Sequence, residues 1–319
     1  MRFIVDYPIV VQGYDPALVT RAGMTRVVTA IERHGYDAVA FSEHPAPSAR
    51  WIAAGGHESL HQMAALSFCA AATERIRLMP LLMVLPYHNP FLAAKALATV
   101  DLLSDGRVTL VAGTGYLRSE FLAMGIDIEE RNEIFDEALE VIRGVWNEVP
   151  YHHSGSRFSA RGLASLPLPA QPSGPPLLIG GNSRRARERA AWADGWSPIL
   201  VPPEVAATSR TPGIASVAAL AAAVRQVRER AVEVRGEGAT VTVQVLTPQM
   251  RFIQAGGSVE EHRHHLGELA QAGVDAFVVR PPGDDVERTL DALAEYAALI
   301  LASPGSACAP AEVGASPAQ

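Results

Sequence analysis

The chain has 319 residues, 48% hydrophobic and 19% charged, enough apolar content to bury a core and too little charge for a disordered segment. Lysine and arginine number 27 against 34 aspartates and glutamates, a net charge of −7, and no stretch concentrates base as a phosphate-backbone footprint requires, so nucleic acid is not the expected partner. Two cysteines, Cys69 and Cys308, cannot build a disulfide framework or a four-ligand zinc site; with no signal-peptide core at the start and no unbroken apolar run of about 18 residues, the sequence predicts a cytoplasmic protein without a membrane span.

Short runs rich in β-branched residues alternate with longer alanine-rich segments of helical period. The first run, 2–10, leads through Asp15-Pro16, an N-cap with proline at the first helical position, into a helix over 16–34. A strand at 37–42 and a helix at 60–73 follow, then a strand at 76–83 and a helix at 90–103 that repeats the device with Asn89-Pro90. The later pairs are 108–112 with 131–146, 176–180 with 184–193, 195–200 with 216–235, 240–246 with 259–272, and 274–279 with 285–301. His34-Gly35-Tyr36-Asp37 and Ala272-Gly273-Val274-Asp275 share one form, helix end, glycine, apolar residue and acid, and mark equivalent joints. Eight strands and eight helices predict an α/β fold, a closed (β/α)8 TIM barrel with insertion segments, as a single domain over 1–301 and a disordered polar tail over 302–319. No G-x-G-x-x-G follows the first strand, which argues against an open doubly wound sheet. The non-periodic stretches 45–56, 151–173, 202–213 and 247–258 read as loops or lids.

Candidate chemistry gathers at strand ends. Gly113-Thr114-Gly115-Tyr116 offers glycines where backbone can approach a flat or anionic group, or a turn needing positive φ. Gly180-Gly181-Asn182-Ser183 enters a helix, where free N–H groups and the helix dipole favour an anion; plain N-capping is the alternative. His44 closes the second strand in Ser42-Glu43-His44-Pro45 and can exchange a proton near neutral pH, or simply pair with Glu43. His57-Glu58-Ser59-Leu60-His61 matches the zinc-hydrolase H-E-x-x-H pattern, but no third ligand follows, so no metal is expected and the two histidines become candidates for the pocket mouth. His152-His153 and His262-Arg263-His264-His265 read as solvated faces, and Trp51, Tyr87 and Phe158 as pocket walls or loop packing.

The block from Leu85-Pro86-Tyr87-His88-Asn89-Pro90 through Ala94 to Arg107, then Gly113-Thr114-Gly115-Tyr116, Glu120-Phe121, Arg131, Glu137-Ala138 and Trp146, is continued by Gly180-Gly181-Asn182-Ser183 and Ala193-Asp194-Gly195-Trp196. Together these resemble the luciferase-like monooxygenase superfamily, closely over residues 1–200 and loosely beyond. The resemblance implies a barrel with FMN or the deazaflavin coenzyme F420 at its C-terminal mouth. It implies that Glu43 and His44 are the acid–histidine pair at the cofactor ring, that a non-proline cis peptide lies near Leu81-Leu82, and that Gly113, Thr114, Gly115 and Tyr116 with Gly180, Gly181, Asn182, Ser183 and Trp196 handle the cofactor. The wording resembles the F420-dependent branch, which implies hydride transfer between deazaflavin C5 and a small organic substrate in a homodimer. The alternative on the same fold is an FMN-dependent monooxygenase, and a remote one is a zinc hydrolase through His57, Glu58 and His61. F420-dependent sugar-phosphate dehydrogenases of the superfamily carry aspartate before the histidine and glutamate after the fourth-strand glycines, where this chain has Glu43 and Tyr116, so that reaction is not implied. Segments 45–56 and 151–173 are expected to set substrate choice.

Overall fold

Strands form here where runs of aliphatic and small residues are buried on both faces, the pattern of a parallel sheet covered by helices outside and side chains within. A computed structural model describes residues 1–201 and 211–302; most of the 202–213 loop, and the predicted tail from 303 on, lie outside the described residues. The strands are β1 Arg2–Asp6, β2 Ala38–Phe41, β3 Arg77–Pro80, β4 Met83–Val84, β5 Leu110–Gly113, β6 Tyr151–Ser154, β7 Ser159–Leu163, β8 Leu177–Gly180, β9 Gly195–Ser197, β10 Thr242–Val245 and β11 Ala276–Val279. All but β6 and β7 belong to one parallel sheet in the order β3-β2-β1-β11-β10-β9-β8-β5-β4. The third predicted run holds two strands, because the cis Leu81–Leu82 peptide separates β3 from β4. A bridge between Leu78 and Val108 joins the two ends of the sheet, giving the barrel with eight strand positions.

The main helices are α1 Arg21–Arg33, α2 Gln62–Ala72, α3 Pro90–Leu103, α4 Arg131–Asn147, α5 Arg184–Trp192, α6 Val217–Arg235, α7 Val259–Gln271 and α8 Val286–Tyr296. Asp15 and Asn89 accept backbone N–H bonds as N-caps ahead of Pro16 and Pro90. Gly35 and Gly273 take positive φ, as residues ending a helix in a left-handed turn must. The acids that follow do one job: Asp37 accepts the N–H of Phe3 at 2.6 Å and Asp275 that of Val243 at 2.8 Å, each from the neighbouring strand. Asp194 repeats it with Leu177 at 2.9 Å, a third joint of this kind. These clamps lie at the strand N-termini, the end opposite the cavity.

Several expected loops are structured. Residues 45–56 contain a short helix, Ala49–Ala53, and 247–258 contain the turns Pro248–Arg251 and Phe252–Ala255. Segment 151–173 begins with the antiparallel β6–β7 hairpin. Glu137 of α4 holds that hairpin: it accepts the N–H groups of Arg157 and Phe158 and the Ser156 hydroxyl, and although burial opposes charge there, these donors pull it down to about 2. Two histidine expectations are corrected. His153 is buried beside Glu137, and His262 is 1% exposed, because each lies on the inward side of its element rather than facing solvent. Among the described residues no helix is long and apolar enough to cross a membrane.

Candidate active site

The C-terminal ends of the strands surround a cavity of ≈ 490 Å³. Every strand position contributes: Asp6 from β1, Ser42 and His44 after β2, Leu82 and Val84 at the β3–β4 junction, Thr114 after β5, Ile179 and Gly180 from β8, Ser197 from β9, Leu246 after β10 and Arg280 after β11. A volume of this size suits a cofactor ring with a small second molecule.

The floor is made by Leu82. A Cβ on Gly113 would lie 2.6 Å from one Leu82 methyl, and one on Gly180 would lie 2.6 Å from the other, so both glycines are there to admit this side chain between two strands. Gly115 and Gly181 answer a different need, with φ of +74° and +103°. Gly115 is short of space as well, since a Cβ there would lie 2.6 Å from a Val84 methyl, so it is required on both counts.

His44 is nearly buried and its Nδ1 lies 3.3 Å from Glu120 Oε2, not against Glu43 as the adjacent residues suggested. Glu120 comes from the short helix Arg118–Ala123, is 1% exposed, and also accepts from the Tyr87 hydroxyl at 3.1 Å. Burial and that carboxylate push the Tyr116 phenol up to about 12, so it stays protonated. The His44 ring packs against Trp51 at 4.6 Å and His57 at 4.9 Å. Glu43 is occupied otherwise: one oxygen accepts the Val84 N–H at 2.6 Å and the other meets His88 Nε2 at 2.8 Å, which anchors the strand after Leu82. It lines the cavity as a support of the floor rather than as a free acid.

At the far side Gly180, Gly181 and Ser183 line the cavity at the start of α5. The Ser183 hydroxyl caps Ala186, leaving the first helical N–H groups without intrahelical acceptors. Arg131, Arg185 and Arg189 stand alongside. Two of them share Asp136, at 2.6 Å each, and although burial opposes it they hold that carboxyl below its usual range. Among the described residues Arg131 reaches the Ile128 carbonyl and, at 3.9 Å, Glu129.

Of the predicted site residues, Glu43, His44, Leu81, Leu82, Gly113, Thr114, Gly115, Tyr116, Gly180, Gly181 and Ser183 line this one cavity. Asn182 and Trp196 do not. Asn182 is buried and ties the turn to the Ile199 and Pro212 carbonyls, while the Trp196 indole donates to the Gly181 carbonyl at 2.8 Å, so both brace the turn from behind. Tyr87 is a wall; Trp51 backs His44, and Phe158 packs against Phe91 away from the cavity. No described residue of segments 45–56 or 151–173 lines the cavity: the first lies behind His44 and the second is fastened to α4. His57 to His61 precede α2 in non-helical backbone, so the two histidines do not share a helical face, and among the described residues no three metal-ligating side chains converge. Residues missed by sequence reasoning are Asp6, Ser197 and Arg280 at strand ends, and Glu120, whose position after the fifth strand was visible while its turn toward His44 was not.

The family model described as luciferase-like monooxygenase matches residues 1–271. An FMNH(2)-dependent dimethylsulfone monooxygenase of Pseudomonas putida is 28% identical over 169 residues, 52% of this chain and 45% of that protein, so the chain spans less than half of that relative's length. Monooxygenase RslO1 from Streptomyces bottropensis superposes with a TM-score of 0.73 at 20% identity, covering 94% of this chain and 99% of that one. An F420-dependent secondary alcohol dehydrogenase in complex with an F420-acetone adduct superposes with a TM-score of 0.71 at 15% identity, over 94% and 98%. At these identities the structural likeness speaks for the fold.

Proposed function

The chain belongs to the luciferase-like monooxygenase family, and on that premise we propose that it is an oxidoreductase that binds coenzyme F420 at the barrel mouth and moves a hydride between the deazaflavin and a small organic substrate. The observation that carries this reading is the His44–Glu120 pair, an imidazole with a buried carboxylate partner, in the cavity that Leu82 and the Gly180–Ser183 turn also line. The residues fit such a cofactor: Leu82 supplies a surface for a planar ring, and Gly181, Ser183, the first turn of α5 and Arg131 suit an anionic tail. When bound, the cofactor supplies the hydride chemistry. His44 Nε2 is the atom that gives or takes the substrate's proton, while Glu120 at Nδ1 fixes the ring and gives a charge arriving on it a partner. Tyr87 in turn holds Glu120. Glu43 and Glu120 place carboxylates in the cavity wall with His44, while Asp6 is neutralised by Arg280, which suits neutral substrates better than anions.

A second reading, an FMN-dependent monooxygenase using reduced flavin and oxygen, is favoured by the named activity of the Pseudomonas putida relative. Titration of the purified chain with F420 and separately with FMN, each reduced and oxidised, divides the two. Micromolar F420 binding with much weaker FMN binding is the expected result. The reverse preference, with oxygen consumed in the presence of reduced FMN, would replace hydride transfer by oxygenation.

A further inference from the structure

Arg185 and Arg189 both line the cavity from α5, one helical turn apart and so on one face of that helix. Their guanidiniums converge on a single carboxylate: Arg185 Nη2 lies 2.6 Å from Asp136 Oδ2, and Arg189 Nε lies 2.6 Å from Asp136 Oδ1. Asp136 comes from α4 and is not itself part of the cavity lining. Two cavity cations are therefore joined to one anion supplied by another helix, and the trio carries one net positive charge.

The two arginines are held unequally. Arg189 is nearly buried; besides Asp136, its Nη2 donates to the Asn132 carbonyl and carboxamide oxygens at 3.1 and 3.2 Å, and its guanidinium lies 4.5 Å over the Phe135 ring. Arg185 is half exposed, and among the described residues Asp136 is its one hydrogen-bonding partner. An ion pair this open to water is weak, so Arg185 can exchange Asp136 for a ligand anion without disturbing the packing around Arg189. Neighbouring acids are engaged elsewhere, Glu129 with Arg118 at 2.9 Å and Glu188 with Arg184 at 2.8 Å.

We propose that Asp136 is a selectivity residue for the anionic group bound at this end of the cavity: it parks Arg185 while the site is empty and, once the group has entered, repels it in proportion to its charge. A doubly charged phosphate monoester is then disfavoured about twice as strongly, in free energy, as a singly charged diester. The bias runs toward a diester, the kind of phosphate linkage in the F420 tail, and away from a terminal monoester such as that of FMN. The inference rests on the proposed function only in taking this end of the cavity for the anion.

The probes are phenyl phosphate and methyl phenyl phosphate, titrated calorimetrically into the cofactor-free chain at low salt and about pH 8, where the monoester is doubly charged and the diester singly. Asp136→Asn keeps an oxygen for Arg189 and removes the charge. It is expected to tighten phenyl phosphate about tenfold and methyl phenyl phosphate about threefold, the second gain being the square root of the first because the ligand charge is halved. Glu287→Gln, which removes one carboxylate from the exposed pair with Arg26, controls for net charge and is expected to change either affinity by less than about twofold. Arg185→Gln weakens both. The reading that needs no variant is the arginine Nε region of the 15N spectrum, where phenyl phosphate is expected to move the Arg185 signal further than that of Arg189. Unchanged or weaker binding in Asp136→Asn, equal gains for the two probes, gains matched by Glu287→Gln, an unmoved Arg185 signal, or binding of neither probe overturns the assignment. F420 and FMN are titrated separately, so a chain that shows the phosphate pattern but binds neither cofactor would keep the selectivity residue and lose the proposed function.

Discussion

Two buried histidines in this barrel have opposite surroundings. His44, at the cavity, meets a carboxylate at 3.3 Å and the edges of other rings, so a proton arriving there finds a counter-charge. His262, on α7, is stacked on Phe252 at 4.3 Å and held by neutral groups, the Gln249 carboxamide at 2.8 Å and the Tyr296 hydroxyl at 3.0 Å. With Nδ1–H donating to the Gln249 oxygen and Nε2 accepting from the Tyr296 hydroxyl, both nitrogens are satisfied in the neutral form, and burial, with His265 nearby, pulls the ring down to about 4. Burial alone therefore does not make a histidine reactive. The identity of the second partner decides whether it exchanges protons or fills a core position.

The comparison breaks most visibly if His44 is removed. His44→Ala should lower turnover by about 10²–10⁴-fold, the range for losing a general acid or base, with cofactor affinity by titration little changed. His262→Ala should do the reverse, costing about 2–4 kcal/mol in urea unfolding through the lost ring while turnover per folded molecule is retained. Acid sharpens the same contrast without mutation. A free histidine titrates near 6.5 and His262 near 4, so in that interval the unfolded chain binds a proton that the folded one refuses. Stability is complete above pH 6.5 and falls through that window, by on the order of 3 kcal/mol, and His262→Gln should flatten that slope in unfolding experiments. The smallest effect expected is that of Glu120→Gln, which keeps a hydrogen bond to His44 but not the charge, and should slow turnover about tenfold, roughly 1.4 kcal/mol of barrier. No loss of rate in that variant would leave Glu120 a packing residue.

The barrel was legible because parallel strands buried on both faces leave continuous aliphatic runs, and because Asp15-Pro16, Asn89-Pro90 and the paired Gly35 and Gly273 punctuate them locally. The long block ending in Ser104-Asp105-Gly106-Arg107 was legible too, yet its work is structural. Asp101 accepts from Gln171 and Val108, and Arg107 is buried with its guanidinium on the Ala70, Thr73 and Ile76 carbonyls, so this stretch fastens a helix to a strand far from the cavity. Of the site, what could be read were residues adjacent in sequence, such as the two glycine pairs and Glu43-His44. Glu120 meeting His44 across 76 positions, and Asp6 meeting Arg280 across 274, are products of barrel closure. Neither pair leaves a local signature, since a lone acid at a strand end looks the same whether it faces solvent or a guanidinium. The split of the third predicted strand was invisible to hydrophobic pattern, because Leu81 and Leu82 belong to an apolar run whichever way the chain turns there.

The packing of Leu82 between Gly113 and Gly180 also bears on distance. On the reading that a planar ring rests on this side chain, its elevation along the barrel axis is set by how deeply the leucine sinks, and that depth is set by two missing methyl groups on β5 and β8. The separation between ring and His44 is then governed by residues that touch no substrate. Adding a methyl group at either glycine would raise the floor without altering a single proton-carrying group, and trimming Leu82 would lower it again. Reactivity in this barrel is thus adjustable vertically, from beneath, by side chains with no chemistry of their own.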